Sequence, residues 1–380
     1  MESIPEGYKK TKAGIIPIEW EVVKLKDIAI LTPGQHLLKS DYNSNGIGVP
    51  YLTGPSDLED EVETKYTTSM QNICKKNDIL ITIKGSGCGS LFIANQKYCL
   101  GRQLMAISPK TFTSKVLYYM LLQNISHINN LVSGLIPQLT KKDLSEIPIV
   151  NIPMPEQEKI AKILTTWDTA INKQKELIQV KKQLKKGLMQ KLLSGEVRFD
   201  GFSDEWISQK LSSISKVKKG KQLNKIDLIE NAKYPVINGG IEPSGYTDTY
   251  NTDENTITIS EGGNSCGYVN YITTKFWSGG HCYTPLDVKA NVYFIYQYLK
   301  LNELKIMQLR VGSGLPNIQK GDIENFKIKL PSLQEQQKIA QVLSTADKEI
   351  ELLKNELESL KEQKKGLMQR LLSGEVRVKV

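Results

Sequence analysis

The sequence predicts an α+β fold in which two β-rich mixed globular domains are separated by two long antiparallel coiled-coil helices, with a pseudo-twofold internal repeat. Three observations predict this fold. A helical segment that begins at Glu156 recurs at Glu335, an offset of 179 residues. Each copy carries apolar residues at alternating steps of four and three, the period of a coiled coil. The segments before each copy contain short Val, Ile and Tyr runs between clusters of Gly, Asn and Ser, which are typical of strands and turns.

The length and composition of the chain bound its class. At 380 residues the chain exceeds the size at which a single core usually persists, so two domains of about 150 residues are expected. Hydrophobic residues make up 39% and charged residues 24%, as in soluble globular proteins. No apolar run is long enough to span a membrane, and the N-terminal segment has neither a secretory signal pattern nor an acylation motif. We therefore expect a cytoplasmic protein with no membrane contact.

The cysteines and the net charge narrow the kinds of partner. The cysteines are odd in number and never form a C-x-x-C pair, so neither a zinc ribbon nor a disulfide framework is predicted. They are Cys74, Cys88, Cys99, Cys266 and Cys282. The net charge of +9 favours a polyanionic partner such as nucleic acid, because basic side chains that neutralise phosphates release condensed counterions.

The repeated segment organises the chain. Residues 156–199 align without a gap on residues 335–378, and 24 of the 44 aligned positions are identical, far more than chance gives. EQEKIAKIL recurs as EQQKIAQVL, and KKGLMQKLLSGEVR recurs as KKGLMQRLLSGEVR. The domain before each copy is much more varied. A constant helix beside a varied domain indicates that the helices are the common support and that the domains read a target.

The two globular domains correspond only in outline, through four pairs of segments. The pairs are IPIEWEVVKLKDIAILTPGQ with FSDEWISQKLSSISKVKKGK, GVPYLTG with KYPVINGG, DILITIKGSGCG with NTITISEGGNSCG, and LVSGLIPQLTKKDLSEIPI with LRVGSGLPNIQKGDIENFKI. Runs such as DILITI, NTITIS and VYFIYQYL are predicted to be strands.

An apolar seam runs along each copy of the repeated helix. In the first copy it consists of Ile160, Leu164, Trp167, Ile171, Ile178, Leu188 and Leu192, with Gln174, Lys181 and Lys185 as polar breaks. In the second copy it consists of Ile339, Leu343, Ala346, Ile350, Leu353, Leu357, Leu360, Leu367 and Leu371, with Lys364 as the break. Polar residues in such a seam commonly fix register and partner choice at some cost in stability.

The ends of both helices are marked in the sequence. Each helix follows a proline segment that places Glu156 or Glu335 in its first turn, where a carboxylate favours the positive helix end. Each is expected to stop at a left-handed glycine, after Ser194 or Ser373. About 39 residues at 1.5 Å each give a rod of roughly 58 Å, which is longer than one DNA turn of roughly 35 Å.

The charges of the two helices differ, and this favours pairing within one chain. Residues 156–195 contain nine basic and four acidic residues, whereas residues 335–374 contain seven of each. An antiparallel pair is the simpler arrangement, because it places the two preceding domains at opposite ends of the rod. The predicted parts are a first recognition domain at 1–152, a first helix at 153–198, a second recognition domain at 199–330 and a second helix at 331–380.

No catalytic or metal site is predicted. Gly220-Lys221 lacks the earlier glycine of a phosphate-binding loop and is followed by Gln222. GSGCGS, at residues 85–90, lacks the last glycine of a dinucleotide fingerprint and is interpreted as a turn. The three histidines are scattered, without a metal-ligand pattern. The N-P-P-[YF] motif of amino-methyltransferases is absent, so methyl transfer is expected to belong to another chain.

Polar and basic residues in the turns are candidate DNA contacts, although a solvated surface role is the alternative for each one. Arginine and lysine read guanine, and Asn and Gln read adenine, in the major groove. The candidates in the glycine-rich turns are Lys84, Ser86, Arg102 and Gln103 in the first domain, and Asn264, Ser265 and His281 in the second. A second set is predicted to occupy equivalent loops and to bind phosphate: Gln35, His36 and Lys39, and Lys218, Lys219 and Lys221.

At the EQxxIA and KKGLMQ[KR]LLSGEVR motifs, the chain resembles the specificity subunit of type I restriction-modification enzymes. The resemblance covers essentially the whole chain. It includes an opening G-I-I-P-x-x-W segment, two target-recognition domains and two constant helices, and the match to both helices and their spacing is highly specific.

This resemblance implies a DNA-recognition subunit without a catalytic site of its own. Each domain would read one half of an asymmetric, bipartite site on double-stranded DNA, and the helices would set the gap. Two methyltransferase subunits carrying S-adenosylmethionine would dock on the helices, and restriction and translocase subunits using ATP and Mg would complete the enzyme. Residues 1–20 would lie near the C-terminus and give a circular arrangement.

Two alternatives from other classes are weighed against this interpretation. A coiled-coil scaffold protein that bridges other proteins is the common meaning of a heptad seam, but the basic charge and the diverged twin domains argue against it. A single-chain nuclease or methyltransferase lacks its motifs.

Overall fold

The computed structural model describes residues 4–58, 64–312, 314 and 316–379. The chain forms two compact units. Unit 1 comprises Met1–Gln174 and Glu356–Val380, and unit 2 comprises Lys175–Asn355. Each unit therefore joins a globular part to part of both long helices.

The secondary structure that precedes and includes the first long helix is rich in short strands. The strands are β1 (Tyr8–Thr11), β2 (Gly14–Pro17), β3 (Glu21–Lys24), β4 (Ala29–Pro33), β5 (Val49–Leu52), β6 (Lys65–Thr67), β7 (Ile73–Cys74), β8 (Ile79–Thr82), β9 (Leu91–Ile93), β10 (Tyr98–Leu100), β11 (Leu104–Pro109) and β12 (Pro148–Asn151). The helices are α1 (Leu25–Ile28), α2 (Ser114–Gln123), α3 (Ile125–Asn130), α4 (Lys141–Ser145) and the long α5 (Met154–Ser194).

The second half of the chain repeats this pattern with fewer strands. The strands are β13 (Ile207–Lys210), β14 (Lys216–Lys219), β15 (Tyr234–Ile237), β16 (Tyr246–Thr247), β17 (Thr256–Ser260), β18 (Val269–Ile272), β19 (Trp277–Ser278), β20 (Cys282–Leu286) and β21 (Lys327–Leu330). The helices are α6 (Leu211–Ile214), α7 (Val292–Leu301), α8 (Glu303–Met307), α9 (Lys320–Glu324) and the long α10 (Leu333–Leu372).

Two main sheets recur in each unit. In unit 1 an antiparallel sheet has the order β4-β11-β8-β9, and a mixed sheet has the order β6-β5-β10-β7 with β5 parallel to β10. In unit 2 the corresponding sheets are β14-β20-β17-β18 and β16-β15-β19, with β15 parallel to β19. The predicted strands DILITI and NTITIS are thus correct, as β8 and β17. All four side chains of β8 are buried, which explains a continuous apolar run without alternation.

The prediction that VYFIYQYL forms a strand is wrong, because it forms helix α7. The side chain of Asn291 caps the helix by accepting a hydrogen bond from the Phe294 backbone amide. Phe294, Ile295 and Leu299 are buried on one face, and Tyr293 and Tyr296 pack against Tyr271. A continuous apolar run does not distinguish a buried strand from a buried helix, so the period had to be set by tertiary packing.

The ends of the two long helices are built into the cores of the units. In unit 1, Ile160 and Leu164 of α5 share a core with Met368 and Leu371 of α10. In unit 2, Leu192 and Leu193 of α5 share a core with Leu343 of α10. The seam residues predicted from sequence are all buried or half-buried, while Leu177, Val180, Leu184 and Leu352 lie off the seam and are exposed.

Two ion pairs and a hydrogen bond connect α5 with α10 and the segment that follows α10 within unit 1. Arg377 donates two hydrogen bonds to the carboxylate of Glu156, at 2.6 and 2.8 Å. Lys364 pairs with Asp168. Gln174 donates to Glu356 at 3.0 Å. The partners follow one another in opposite chain directions, so these segments run antiparallel.

Unit 2 contains two of these contacts again at the 179-residue offset, together with a third ion pair of its own. Arg198 donates two hydrogen bonds to Glu335, at 2.7 and 2.9 Å, and Lys185 pairs with Asp347 at 2.6 Å. Lys181 pairs with Glu349. Three of the polar breaks in the predicted seam, Lys181, Lys185 and Lys364, are therefore cations paired with acids of the other long helix.

The C-terminal segment packs on the N-terminal part of unit 1. The Tyr8 hydroxyl donates to the Gly374 carbonyl at 2.9 Å, and the Arg377 guanidinium lies 5.1 Å from the centre of a Trp20 ring. Described residues of the segment 1–20 thus lie against the chain that follows α10.

Both long helices are followed by a glycine in the left-handed region, with φ of +78° at Gly195 and +76° at Gly374. The surroundings of the two glycines differ. A Cβ at Gly374 would lie 2.5 Å from Pro17 Cδ and 2.9 Å from Trp20 Cζ3, whereas a Cβ at Gly195 would lie 3.6 Å from the Trp206 ring.

The Gly374→Ala substitution is expected to destabilise the protein more than Gly195→Ala. Both place an alanine in a left-handed conformation, at a cost of about 1–2 kcal/mol, but only Gly374→Ala adds an overpacking cost of about 1–3 kcal/mol. Urea denaturation of both variants measures the difference. Equal losses would show that Pro17 and Trp20 move aside freely.

Candidate nucleic-acid interface

A short glycine-containing segment joins the two main sheets of each unit. We call it the crossover segment. It is residues 101–103 in unit 1, between β10 and β11, and residues 279–281 in unit 2, between β19 and β20. Close backbone approach requires glycine at its start, because a Cβ at Gly101 would lie 2.7 Å from the Leu52 carbonyl oxygen.

Six backbone hydrogen bonds fix the surroundings of the crossover segment in unit 1, and we call them the backbone frame. They bring together the ends of β4, β5 and β8 and the loop before α4. Each bond joins a backbone amide to a backbone carbonyl, over 2.6–3.0 Å. The donor and acceptor pairs are Gly34 to Leu104, Gln35 to Leu100, Ile83 to Gln103, Gly85 to Pro137, Gly101 to Leu52, and Leu139 to Ile83.

The same backbone frame occurs in unit 2, bond for bond. Each bond again joins a backbone amide to a backbone carbonyl, over 2.8–3.0 Å. The donor and acceptor pairs are Gly220 to Cys282, Lys221 to Ser278, Glu261 to His281, Gly263 to Pro316, Gly279 to Ile237, and Ile318 to Glu261. The two frames therefore define matched positions, among them Gln35 with Lys221, Ile83 with Glu261, and Gln103 with His281.

The frame of unit 1 gathers three of the predicted contact residues, Gln35, Lys84 and Gln103. Gln35 donates a hydrogen bond to the Gln71 side chain at 3.0 Å, and Lys84 forms an isolated β-bridge with Gln138. The Gln103 side chain is half-buried. Its Oε1 lies 2.3 Å from the place where Gly54 would carry a Cβ, so the absence of a side chain at Gly54 makes room for it.

The other predicted contacts of unit 1 are exposed, and the bonds of the frame do not involve them. Ser86 and Arg102 are exposed in turns, and His36 and Lys39 are exposed in the loop after β4. GSGCGS forms the turn between β8 and β9, as predicted.

In unit 2 the frame surrounds a pocket of about 430 Å³. Its lining residues are Asn238, Gly239, Gly240, Gly262, Gly263, Ser265, His281, Pro316 and Asn317. Ser265 donates its hydroxyl hydrogen to the Gly239 carbonyl at 2.6 Å, and Asn238 Oδ1 accepts from the His281 amide at 3.2 Å. Asn264 is exposed beside the pocket.

A buried carboxylate, Glu261, anchors this pocket. Its side chain is only 6% exposed, and it accepts from Lys219 Nζ at 2.5 Å and from the Tyr283 hydroxyl at 3.0 Å. His281 Nδ1 lies 3.3 Å from its Oε2. Burial opposes its ionisation, yet the hydrogen bonds and charge of these neighbours hold the pKa of Glu261 below its ordinary value.

Two further groups at this site have pKa values that burial raises. The pKa of Tyr283 is raised by burial and by its hydrogen bond to Glu261. Burial raises the pKa of the Cys282 thiol to about 11. Both groups therefore stay protonated at neutral pH, and Glu261 carries the negative charge beside the pocket residue His281.

One part of the predicted phosphate-binding set is corrected by the structure. Lys218 and Lys219 do not lie in a loop but in β14, paired with β20. Val217 points into the core while Lys216 and Lys218 are exposed, the alternation of a half-buried strand. Lys219 is used in the ion pair with Glu261. Lys221 lies in the loop after β14, matched to Gln35.

Sequence reasoning missed several residues of the site, namely Asn238, Glu261, Tyr283 and Asn317 in unit 2 and Gln138 in unit 1. A signal existed for Glu261, which is an acid between a buried strand and a glycine-rich turn. Its partners, however, are 20 to 42 residues distant in the chain, so the cluster required the fold.

The side chains around both frames carry groups that suit the recognition of nucleic acid. Amide, imidazole, hydroxyl and amine groups can pair with base edges and phosphates. Within the described residues, no group of three or more His, Cys, Asp or Glu side chains is placed to hold a metal ion. No helix among them is long and apolar enough to cross a membrane.

Comparison with known protein families agrees with this geometry. A model described as the type I restriction modification DNA specificity domain matches residues 17–182 and again residues 203–362. The chain belongs to this family. Each match contains the crossover segment and every candidate contact residue of its unit, so the specificity-subunit fold spans both globular domains.

Relatives of this specificity-subunit family extend over the full chain. The MjaVIII specificity subunit of a type I restriction enzyme from Methanocaldococcus jannaschii is 27% identical, over 98% of this chain and 97% of its own length. A Mycoplasma pneumoniae protein that carries the name type I specificity subunit is 39% identical over 161 residues, 41% of this chain and 42% of its own length. The crystal structure of the S subunit of a type I restriction-modification system from M. genitalium has the same fold. It gives a TM-score of 0.66 at 24% identity, over 93% of this chain and 96% of that one.

Proposed function

We propose that this chain is the DNA sequence-specificity subunit of a type I restriction-modification complex. The observation that carries the proposal is the presence of two identical backbone frames with different polar side chains at matched positions. Two domains that have the same backbone frame but present different side chains suit an asymmetric, bipartite duplex site. Each unit reads one half of that site.

The recognition domains of this proposal are residues 1–152 and 199–330. The DNA contacts are the turn and loop residues around the two frames, with Lys218 and Lys219 acting from β14. They are Gln35, His36, Lys39, Lys84, Ser86, Arg102 and Gln103 in the first domain, and Lys218, Lys219, Lys221, Asn264, Ser265 and His281 in the second. Exposed cations such as Arg102 and Lys218 suit phosphates, and half-buried amides suit base edges.

The two long helices form an antiparallel coiled coil that sets the distance between the half-sites. The ion pairs within unit 1 and their counterparts in unit 2 support this proposal, because they occur at one offset of 179 residues and follow opposite chain directions. The same offset supports a pseudo-twofold internal repeat. The seam residues fix the register of the pair.

The subunit acts without catalysis of its own, in the cytoplasm, as the scaffold of a larger complex. Two methyltransferase subunits bring S-adenosylmethionine and methylate the DNA, and restriction and translocase subunits use ATP and Mg. A scaffold protein that only bridges other proteins is not favoured, for two reasons. Polar side chains surround the backbone frame of each unit, and the family match covers both units.

A genome-wide map of methylated bases, in the source strain with and without the gene, tests the proposal. Deletion is expected to abolish methylation at a single two-part motif, and restoration of the gene to return it. An unchanged map in a strain that expresses the methyltransferase subunit would overturn the proposal.

A further inference from the structure

Gln103 and His281 occupy one pair of matched positions in the two frames. In each case the backbone carbonyl accepts from the amide at the end of the neighbouring buried strand, at 2.8 Å from Ile83 and 3.0 Å from Glu261. The side chains therefore leave equivalent points of the same frame. Their chemistry differs, since one is an amide with a donor and an acceptor and the other is an imidazole.

The residue behind this position also differs between the units. In unit 2 it is Glu261, whose buried carboxylate faces His281 Nδ1 and pairs with Lys219. In unit 1 it is the apolar Ile83. A carboxylate next to Nδ1 accepts a hydrogen bond from the Nδ1–H group and leaves Nε2 of the imidazole for another partner. Unit 1 has no matched charge at this point of its frame.

We propose that Gln103 and His281 are the specificity-determining residues of the two half-sites, and that Glu261 is a positioning residue that holds His281 and Lys219 toward DNA in unit 2 alone. This inference rests on the proposed function and makes it residue-specific. Each side chain reads one base of its own half-site. Glu261 acts on that base through His281.

Gly54 provides a way to move Gln103 without changing it. Its φ is not in the left-handed region, and within the described part of the chain the atoms that a Cβ would meet belong to the end of the flexible Gln103 side chain. Gly54→Ala should therefore displace that side chain while leaving the frame intact. The matched Gly239 is unsuitable for this purpose, because its φ is +83° and its Cβ would meet the His281 carbonyl oxygen at 2.4 Å.

The experiment uses the full chain assembled with its methyltransferase subunits and a library of duplexes with randomised half-sites, sequenced for methylated bases. The variants are Gln103→Ala and Gly54→Ala in unit 1, and His281→Gln and Glu261→Gln in unit 2. Lys97→Ala and Lys216→Ala are controls, because each removes an exposed cation at or just before the start of a strand, β10 or β14, whose other end enters the frame. Thermal unfolding of each complex checks its folding.

Each unit 1 variant is expected to reduce discrimination at one base of one half-site by about tenfold, the effect of losing a good side-chain contact to a base edge. Both unit 2 variants are expected to do so at one base of the other half-site. Glu261→Asp, which keeps the charge, should recover part of the discrimination. The two lysine controls should leave both half-site sequences unchanged.

The outcomes separate the inference from the function on which it rests. An unaltered two-part motif with all four variants would overturn the inference and leave the proposed function in place. A loss at both half-sites together with lowered thermal stability would show a structural role and would also overturn it. If the unaltered protein methylates no two-part motif, the proposed function fails, and the inference fails with it.

Discussion

Replacing Leu343 by alanine is expected to lower the free energy of unfolding by about 3 kcal/mol, within the range measured for buried leucines. Leu343 is fully buried in the core of unit 2, together with Leu192 and Leu193 of the other long helix. The substitution removes a large apolar group and leaves a cavity that the surrounding residues fill only in part. Urea denaturation followed by circular dichroism measures the loss.

Leu352→Ala, on the same helix, is the matched control. Its side chain is 69% exposed, so the loss should stay below about 0.5 kcal/mol. Leu164→Ala makes the same change in unit 1 at the 179-residue offset, where Leu164 is also fully buried. It should cost as much as Leu343→Ala. Similar small losses at Leu343 and Leu352 would show that the helix does not belong to the core.

Insertion of seven helix-forming residues into both long helices is expected to lengthen the spacer of the recognised site while keeping both half-sites. The insertions are placed after Gln174 and after Asn355, where the two compact units divide, so the contacts within each unit are retained. A heptad preserves the apolar seam. It adds about 10 Å of helix at 1.5 Å per residue, or about three base pairs at a rise of 3.4 Å.

The methylated motif of the assembled complex measures this change directly. The same insertion in α5 alone is the control. It shifts one helix against the other and separates partners such as Lys185 and Asp347, so specific methylation should fall sharply. If the double insertion leaves the spacer unaltered, the helices do not set the distance between half-sites.

Periodic and local signals were readable from the sequence. The repeat at 179 residues, the apolar seam and the glycine stops at Gly195 and Gly374 depend on residues a few positions apart, and the structure shows both long helices where these signals lie. The buried strand DILITI is equally local. Such features follow from helix and strand periods and from backbone preferences, which are properties of short stretches of chain.

Features that depend on partners distant in the chain were decided by the tertiary structure. VYFIYQYL satisfies both a buried strand and a buried helix, and the packing of Phe294 and Tyr293 selected the helix. Lys219 looked like a free cation until Glu261 was placed beside it. Glu156 and Arg377 are 221 residues apart in the chain, so no local sequence pattern predicted that they pair.

The sequence by itself determined the family, the repeat and the long helices of this protein, because a sustained period leaves few alternative structures. The tertiary structure alone decided which turn residues meet. It placed Gln103 and His281 at equivalent points of two frames that share almost no side chains. The physical reason is that backbone hydrogen bonds between distant segments fix those points, and side chains take no part in such bonds.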